Sequence, residues 1–369
     1  MISVFGSKVG KEEIENVSAV LESQWMGFGK KVTEFEEKFA AWRGHDNFAM
    51  VDSGSNALYL AVTLLDLPKG SDIIVPAFTW VSCAQAILLA GHNPVFCDVE
   101  IDTLNASRAT IEAALTENTK AVMVVHFAGK PVDIDPILDL GLPVIEDAAH
   151  AVDSFYKGKP CGGIGDVGIY SFDAVKNLTT GEGGGVVTRD NAKIERGKIL
   201  RYCGIGKSGF EAAASSASEK TRWWEYNIQE PFIKMLPTNI AAAIGLAQLE
   251  KIDELQAHRK KVWDIYQNEF AGVSWISRPP EAEEHEKHSY FTYVIRVPNR
   301  DELAKYLFDA DIYTTLRYHP LHLNPLYKSA AKLSNSEVLN EDSLSLPLHP
   351  NLTLDQVSYI VEKVKSFEA

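Results

Sequence analysis

A carboxylate and a lysine that each follow a short apolar run are the side chains most suited to chemistry in this sequence. The run 143–145 has the pattern of a buried strand and leads into Asp147, with His150 three residues later. A second run, 169–172, leads into Lys176. Because ligands of open α/β sheets bind beyond the carboxyl ends of the strands, we expect Asp147 and Lys176 to face one cleft.

Asp147 and Lys176 together fit one cofactor, pyridoxal phosphate (PLP). A lysine amine condenses with an aldehyde to form a Schiff base, and a carboxylate holds a pyridinium nitrogen in its protonated form. Either residue alone has an ordinary explanation, because most lysines are surface charges and many strand-end aspartates cap helices. The prediction therefore depends on the two residues together, and on the glycine-rich turn at 181–185 that follows the lysine.

Two further segments supply what such a cofactor needs. Residues 53–57, SGSNA, precede a helical pattern, so their backbone N–H groups and hydroxyls are typical of a phosphate site at a helix N-terminus. Residues 76–80, PAFTW, follow a predicted strand and end in Trp80, an aromatic side chain that can stack on a ring.

Three other patterns resemble sites of different classes. The GxGxxG at 163–168 lies between a turn-like segment and a strand-like one, which is the wrong order for dinucleotide binding. The GKS at 206–208 is no P-loop, because Arg201 stands where that motif begins with glycine. His319 and His322 form an HxxH beside a proline, which is too irregular for a helical zinc site, so we expect no metal.

The elements that position these residues alternate between residues 50 and 190. The apolar runs predict strands at 73–75, 94–96, 121–125, 143–145, 169–172 and 185–188. Helical spacing is found at 11–24, 32–42, 56–65, 82–90, 109–116 and 191–202. Buried strands separated by helices require crossover connections, so we predict an α/β fold with a mostly parallel central sheet covered by helices on both faces.

The second half of the chain has a different pattern. A long helix is predicted from Asn239 to Ala257, followed by the alternating run 290–297 and helices at 301–309 and 353–366. We therefore predict a large α/β domain over 1–250 and a small C-terminal α+β domain over 251–369. The small and polar, then aromatic, segment 207–233 is expected to be a surface loop, with a flap or a subunit-contact arm as the alternative.

Composition disfavours two classes of partner. The chain has 36 Lys plus Arg and 50 Asp plus Glu, a net charge of −14 over 369 residues, which disfavours nucleic acid and anionic membrane surfaces. The first residues, MISVFGSKVGKEEIENV, contain no apolar core of signal-peptide length, so we expect no leader, and no apolar run approaches the ~18 residues of a membrane span. Four cysteines without CxxC spacing indicate reduced, buried thiols, so we expect a cytoplasmic protein.

The motifs quoted above also carry a resemblance. VDSGSNALYLAV, VIEDAAHAVDSFYKGK, GIYSFDAVKNLTTGEGG and TNIAAAIGLAQLEKID are similar to blocks of the DegT/DnrJ/StrS family of sugar-nucleotide aminotransferases. The likeness runs nearly from end to end, and the lysine-bearing block and the EDAAH block are specific in combination. It implies the PLP-dependent transferase fold of type I.

The resemblance implies roles for the residues nearest the reacting atoms. Lys176 is expected to be the Schiff-base lysine and then the base that moves a proton between the substrate carbon and the cofactor. Asp147 is expected to pair with the pyridine nitrogen, and His150 to lie near the phenolic oxygen. Trp80 is expected to stack on the ring.

The resemblance also implies shared sites in a homodimer. Ser55, Asn56 and Ser171 are expected to bind the phosphate. Many family members add an asparagine from the neighbouring subunit, and Lys234 stands at that place here, where it keeps a donor and adds a positive charge.

Substrate contacts are expected in segments where the family places them, and these contain Phe28, Arg317, Tyr318 and His319. The implied reaction transfers an amino group from L-glutamate to a nucleotide-linked keto-deoxy sugar by a ping-pong mechanism. Three alternatives stay open: another fold-type I PLP reaction, a free or phosphorylated keto sugar as acceptor, and a PLP-bound regulatory protein without turnover. The family branch that performs dehydration carries histidine in place of the lysine, so Lys176 disfavours it.

Overall fold

The computed structural model describes residues 1–208 and 224–367, without the side chains of residues 207 and 208. Most of the segment expected to form a loop or arm, residues 209–223, therefore lies outside the described residues. No helix within the described ranges combines the length and apolar character that crossing a membrane requires.

The helices of the described residues agree with most of the predicted ones. They are α1 (Lys11–Glu22), α2 (Lys30–Arg43), α3 (Gly54–Thr63), α4 (Val81–Leu89), α5 (Arg108–Glu112), α6 (Asp135–Leu138), α7 (Asn191–Leu200), α8 (Asn239–Glu250), α9 (Ile252–Glu269), α10 (Arg300–Asp309), α11 (Ser334–Asp342) and α12 (Leu354–Lys365). Short 3₁₀ turns occur at Phe127–Gly129, Leu321–Leu323 and Pro325–Tyr327.

The strands of the described residues form one large sheet and several small ones. They are β1 (Phe48–Val51), β2 (Asp72–Pro76), β3 (Asn93–Cys97), β4 (Thr119–Val125), β5 (Val144–Asp147), β6 (Phe155–Tyr156), β7 (Lys159–Pro160), β8 (Val167–Ser171), β9 (Gly184–Val187), β10 (Ile205–Ser208), β11 (Tyr226–Ile228), β12 (Glu286–Lys287), β13 (Tyr293–Arg296) and β14 (Ser343–Leu346). The large sheet is seven-stranded, in the order β1-β9-β8-β5-β4-β2-β3.

The large sheet is mostly parallel, as predicted. Strands β3, β2, β4, β5 and β8 pair in parallel, and β9 and β1 complete one edge in antiparallel fashion. In the pairing of β5 with β8, Asp147 lies opposite Ile169, so the carboxyl ends of these two strands lie side by side. The loop that connects β8 to β9 therefore begins next to Asp147, and this loop carries Lys176.

Helices cover both faces of the sheet, and each face has its own hydrophobic cluster. Along β4, Val122 and Val124 join the cluster that contains Phe35 of α2, because alternate side chains of a strand point to opposite faces. Their neighbours Ala121, Met123 and Val125 join the other cluster, which contains residues of α3 and α4. The run of buried residues in β4 is therefore the signature of a strand enclosed on both sides.

The long helix predicted from Asn239 to Ala257 was wrong in one respect. The chain forms two helices that meet at Lys251, whose φ of −113° and ψ of 12° are not helical. The physical reason is that α8 packs on the cluster of the large sheet, whereas Val262 and Trp263 of α9 pack on a separate one. The Lys251 ammonium fixes the break through an ion pair with Glu13, at 2.6 Å.

The third hydrophobic cluster is formed by the C-terminal helices and strands. It contains residues of α9, α10, α12, β13 and β14, with Ile2 packed against it. The first residues of the chain run along this part of the molecule, where Ile2 pairs with Ile312 in a parallel bridge. This places the N-terminal segment beside the C-terminal elements and close to Arg317.

Candidate active site

A cavity of about 420 Å³ opens at the carboxyl ends of β5 and β8. Elements distant in sequence build it: the start of α3, the turn before α4, the loop after β8, and the segment 315–318. Most of the predicted site residues line it, namely Ser55, Trp80, Asp147, His150, Ser171, Lys176, Arg317 and Tyr318.

Lys176 lies in the loop after β8 and is held by that loop's own turn. Its backbone N–H donates to the carbonyl of Asp173 at 3.0 Å, and the Asp173 side chain accepts from the N–H of Val175 at 3.0 Å. The ammonium lies 4.7 Å from the centre of the Phe291 ring. Burial, followed by the positive charge of Arg317, lowers the pKa of Lys176 to about 8. About a tenth of the amine is therefore in the neutral, nucleophilic form at pH 7, far more than for an ordinary lysine.

Asp147 is the last residue of β5 and is 4% exposed. One carboxylate oxygen, Oδ1, accepts a hydrogen bond from the backbone N–H of Ala149 at 2.9 Å. The other, Oδ2, accepts from the thiol of Cys83 at 3.1 Å. The carboxylate is thus fixed from two sides at the wall of the cavity.

Its neighbour Glu146 points to the opposite face of the sheet, and this explains the GxGxxG motif. The Glu146 carboxylate accepts from the backbone N–H groups of Gly162, Ile164 and Gly165, at 2.8, 2.6 and 2.6 Å. It also bonds the imidazole of His126 at 2.9 Å. The amides of this glycine-rich loop therefore bind an anion, but the anion is the protein's own carboxylate.

His150 forms the wall next to Lys176. Its ring stacks on Phe291, with centroids 4.0 Å apart, and its Nε2 lies 3.1 Å from the hydroxyl of Tyr318. Its Nδ1 is buried and has no partner among the described residues. Burial, then the charges of Lys176 and Arg317, hold the pKa of His150 well below its ordinary value, so the imidazole is neutral.

The start of α3 forms a cradle against the end of β8. Ser53 caps the helix by accepting from the N–H of Asn56 at 3.2 Å. A Cβ on Gly54 would come within 2.8 Å of the Ser171 hydroxyl, so only glycine allows this approach. The Ser55 hydroxyl lies 2.6 Å from that of Ser82. Backbone N–H groups and hydroxyls thus converge at a helix N-terminus, which suits an anion.

A sequence profile of the DegT/DnrJ/EryC1/StrS aminotransferase family matches residues 7–365. The chain belongs to this family. A dTDP-4-dehydro-2,3,6-trideoxy-D-glucose 4-aminotransferase of Saccharopolyspora spinosa is 36% identical over 372 residues, which cover 98% of this chain and 96% of that protein. The aminotransferase TlmJ of Streptoalloteichus hindustanus has a similar structure, with a TM-score of 0.93, 34% identity, and 99% and 98% of the two chains covered.

A further structure in this comparison contains the predicted cofactor. The PLP form of Spr1654, a sugar aminotransferase of Streptococcus pneumoniae, has a TM-score of 0.89 and 30% identity, covering 98% of this chain and 97% of that one. The predicted family, fold type and cofactor are confirmed: the protein is a PLP-dependent aminotransferase of fold type I.

The cavity of this DegT-family enzyme offers the groups that PLP requires. An amine with a lowered pKa and a fixed carboxylate stand in one cavity, with a cradle of backbone N–H groups and hydroxyls at the start of α3. Trp80 is 53% exposed at the N-terminus of α4, with its ring 5.6 Å from that of Tyr318. The orphaned Nδ1 of His150 leaves a buried polar atom free for a bound group.

Four predicted residues are not among those that line the cavity. The Asn56 amide donates to Asp52 at 2.7 Å. The Phe28 ring lies under the guanidinium of Arg201, at 4.9 Å. The other two are His319 and Lys234.

His319 is exposed, and its Nδ1 lies 2.9 Å from the side-chain oxygen of Asn340. Its HxxH companion, His322, instead lies 3.3 Å from Glu337, so the two histidines do not converge. Lys234 is exposed and pairs through its backbone with Tyr202. Because Lys234 was predicted to serve a neighbouring subunit, a single chain leaves that prediction untested.

Two aromatic residues that sequence reasoning missed hold Arg317 in place. Its guanidinium lies 3.8 Å from the centre of the Phe5 ring and 4.9 Å from that of Phe291. It donates to the Tyr318 hydroxyl at 2.9 Å, and its Nε is buried without a partner among the described residues. Phe5 and Phe291 come from opposite ends of the chain and carry no motif, so no sequence signal marks them.

Three other residues that sequence reasoning missed, Ser82, Cys83 and Glu182, could have been found from their motifs. Ser82 and Cys83 stand two and three residues after Trp80, in the first turn of α4, so placing Trp80 in the site also places them near it. Glu182 lines the cavity from the glycine-rich turn already noted. Burial, with the nearby charges of Asp173 and Asp52, raises the pKa of Glu182.

Proposed function

We propose that this enzyme transfers an amino group from L-glutamate to a nucleotide-linked keto-deoxy sugar by a ping-pong mechanism. The observation that supports it best is the juxtaposition, in one cavity, of the Lys176 amine, the Asp147 carboxylate and the Arg317 guanidinium. The relative from Saccharopolyspora spinosa acts on a dTDP-linked dehydro-trideoxy sugar, as its name states. At 36% identity, we carry over that class of acceptor and not the individual sugar.

Lys176 performs two tasks in this proposal. Its amine attaches the cofactor and, once displaced by the amino donor, accepts the proton that leaves the substrate carbon. When bound, PLP supplies a ring that withdraws electrons from that carbon. A lowered pKa suits Lys176 to both tasks, because a base works best when its pKa is near the working pH.

Asp147 and His150 set the electronic state of the site. The Asp147 carboxylate is fixed by its two hydrogen bonds and would keep the pyridine nitrogen of bound PLP positively charged. The neutral His150 imidazole, stacked on Phe291, would face the phenolic oxygen of bound PLP and would offer it a hydrogen bond without adding charge. Trp80, which lines the cavity, would stack on the cofactor ring.

The phosphate is assigned to the cradle at the start of α3. Gly54 and Ser55 supply backbone N–H groups, and Ser55 and Ser171 supply hydroxyls. We leave Asn56 out of this set, because Asp52 engages its side chain and Ser53 its N–H.

A phosphate dianion in that cradle calls for more positive charge than this chain places there, since Asp173 and Glu182 also line the cavity. We infer that Lys234 of the partner subunit supplies it, in a homodimer with shared sites. Several large hydrophobic side chains are exposed, as expected if a partner subunit covers them, and this supports the dimer: Trp25, Met26, Tyr226, Ile228 and Ile233.

Arg317 is the residue we assign to the carboxylates of the donor. The Arg317 guanidinium lies 3.8 Å from the centre of the Phe5 ring and 4.9 Å from that of Phe291, and its Nε has no partner among the described residues, which suits a bidentate contact with a carboxylate. Tyr318 orients Arg317 through its hydroxyl and touches the same substrate space. Phe28 and His319 stay outside the proposed substrate site.

Two broader assignments belong to the same proposal. We place the enzyme in the cytoplasm, because its four cysteines are unpaired thiols. We also propose a large domain over 1–250 and a small one over 251–369, supported by the separate hydrophobic cluster of the C-terminal elements.

The proposed function is tested in two half-reactions. Purified enzyme loaded with PLP is mixed with L-glutamate, and 2-oxoglutarate is measured; the aminated enzyme is then offered a panel of dTDP-, UDP- and GDP-linked keto sugars, alongside free and phosphorylated ones. We expect one nucleotide-linked keto-deoxy sugar to gain an amino group, detected by mass. Amination of free or phosphorylated sugars alone would contradict the proposed acceptor class.

A parallel measurement tests the role of Lys176. Borohydride reduction of the loaded enzyme followed by peptide mapping should place the pyridoxyl group on Lys176, and a Lys176→Ala variant should take up none. A pyridoxyl group on another lysine would show that the assignment is wrong.

A further inference from the structure

Behind Asp147, away from the cavity, lies a buried side chain that the proposed mechanism does not use. Cys83, in the first turn of α4, is 0% exposed and does not line the cavity. Its sulfur lies 3.1 Å from Oδ2 of Asp147 and 3.3 Å from the hydroxyl of Thr79. The three side chains form a short chain of hydrogen bonds that ends on the carboxylate.

The direction of that chain follows from the charges. Burial, then the negative charge of Asp147, raises the pKa of the Cys83 thiol well above its ordinary value, so the thiol keeps its proton. A protonated thiol beside a carboxylate can only donate a hydrogen bond to it, and Cys83 therefore donates to Oδ2 of Asp147. Thr79, 1% exposed, meets the sulfur from the other side.

A carboxylate at the end of a strand can rotate about its side-chain bonds unless both oxygens are held. Oδ1 is held by the N–H of Ala149 and Oδ2 by the thiol of Cys83, so the plane of the carboxylate is defined. A thiol is a weak donor, so it fixes the carboxylate while withdrawing little of its negative charge. That combination suits a group that must point at a pyridinium nitrogen and keep it protonated.

We propose that Cys83 is a positioning residue, which acts through Asp147 to keep the pyridine nitrogen of the cofactor protonated. This inference rests on the proposed role of Asp147. Because α4 also places Ser82 against Ser55 of the cradle, one helical turn then supports both ends of the bound cofactor. The inference assigns no chemical step to the sulfur itself.

The test compares two variants of Cys83 with one matched control variant. Cys83→Ala removes the donor, and Cys83→Ser restores a donor of similar size. Cys97→Ala is the control, since Cys97 is equally buried at the end of β3 and carries no hydrogen bond to a site residue in the described structure. Circular dichroism and thermal melting of each loaded protein establish that the variants are folded.

Two readouts separate positioning from packing. The first is the rate of the glutamate half-reaction: Cys83→Ala should lower its maximal rate about tenfold, with the glutamate concentration for half-maximal rate unchanged, and Cys83→Ser should recover to within about threefold of wild type. The second is the ¹⁵N resonance of enzyme loaded with PLP labelled at the pyridine nitrogen. It should move toward the unprotonated position in Cys83→Ala and return in Cys83→Ser, with Cys97→Ala like wild type.

A double-mutant cycle with Asp147→Asn completes the test. If Cys83 acts through the carboxylate, Cys83→Ala should cost nothing further in that background, whereas a packing effect would persist. A wild-type ¹⁵N resonance in Cys83→Ala, or equal losses in Cys83→Ala and Cys83→Ser, would overturn the inference. Failure of the wild-type enzyme itself to bind PLP at Lys176 would instead refute the proposed function, so the two failures are distinguishable.

Discussion

Replacing Arg317 by methionine should raise the pKa of Lys176 and slow its covalent capture of PLP at neutral pH. The protonated lysine is the charged form, and burial and the neighbouring guanidinium both disfavour it, which is why its pKa is lowered to about 8. Removing the guanidinium removes one of the two causes. The pKa must then rise, and the neutral amine becomes scarcer at a given pH below it.

The size of the effect can be worked from the structure. The Lys176 ammonium and the Arg317 guanidinium lie 4.7 and 4.9 Å from the centre of the same Phe291 ring. They are therefore at most about 10 Å apart, where two like charges repel by about 1.7 kcal/mol at an effective dielectric constant of about 20. Solvent in the open cavity screens part of this, so we expect a rise of about 0.5–1 pKa unit, or a three- to tenfold loss of neutral amine near pH 7.

The assay measures the rate at which cofactor-free enzyme takes up PLP, followed by absorbance from pH 6 to about pH 10. Wild type should show an inflection near the lowered pKa of about 8, and Arg317→Met should shift that inflection upward. Arg317→Lys retains a positive charge and is the matched control, so its inflection should stay near that of wild type. An inflection that stays in place or moves downward in Arg317→Met would refute the electrostatic account of Lys176.

Three further predictions concern the cofactor site. Gly54→Ala should weaken PLP binding about tenfold or more in an equilibrium titration, because its Cβ would meet Ser171 at 2.8 Å, whereas Gly27→Ala, whose Cβ meets nothing within 4 Å, should bind normally. Asp147→Asn should slow the glutamate half-reaction by about 10²–10³-fold in stopped-flow measurements while still binding PLP, and near-normal rates would contradict its role as the charge partner. Mixing Lys234→Ala subunits with Lys176→Ala subunits should restore part of the activity that each lacks, because one site of the mixed dimer then has both lysines; no recovery in confirmed mixed dimers would exclude the shared site.

The sequence predicted the parts of the fold that depend on local apolar patterning. Strands enclosed on both faces, such as β4 and β5, contain short apolar runs, and the sequence predicted these strands and the ends that face a ligand. The strand β1, Phe48–Val51, was missed because it is a short edge strand whose partner, β9, lies far along the chain. The break at Lys251 was missed for a similar reason: apolar spacing continues through it, and only the two separate clusters require the change of direction.

The residues of the candidate site also fall into those that local sequence predicts and those that it does not. Residues carried by motifs, such as Lys176 and Asp147, could be placed in one cleft because parallel strands end at one edge of the sheet. Phe5 and Phe291 could not, because their place beside Arg317 results from packing between remote segments. The sequence also did not predict the direction of each side chain. Asn56 belongs to the motif at the start of α3, but its amide donates to Asp52.

Glu146 and Asp147 show how one strand separates structure from chemistry. The two acids are adjacent, so the alternation of β5 sends them to opposite faces. Glu146 receives three loop amides and His126, which satisfy its oxygens and, against the cost of burial, keep its pKa low. The Asp147 carboxylate accepts one hydrogen bond from a backbone amide and one from a thiol. These two bonds fix its position and leave it able to bind a ligand. Because the glycine-rich loop and His126 already bond the Glu146 carboxylate, Glu146 cannot also bind a cofactor. Asp147 is therefore the acid of β5 that can bind one.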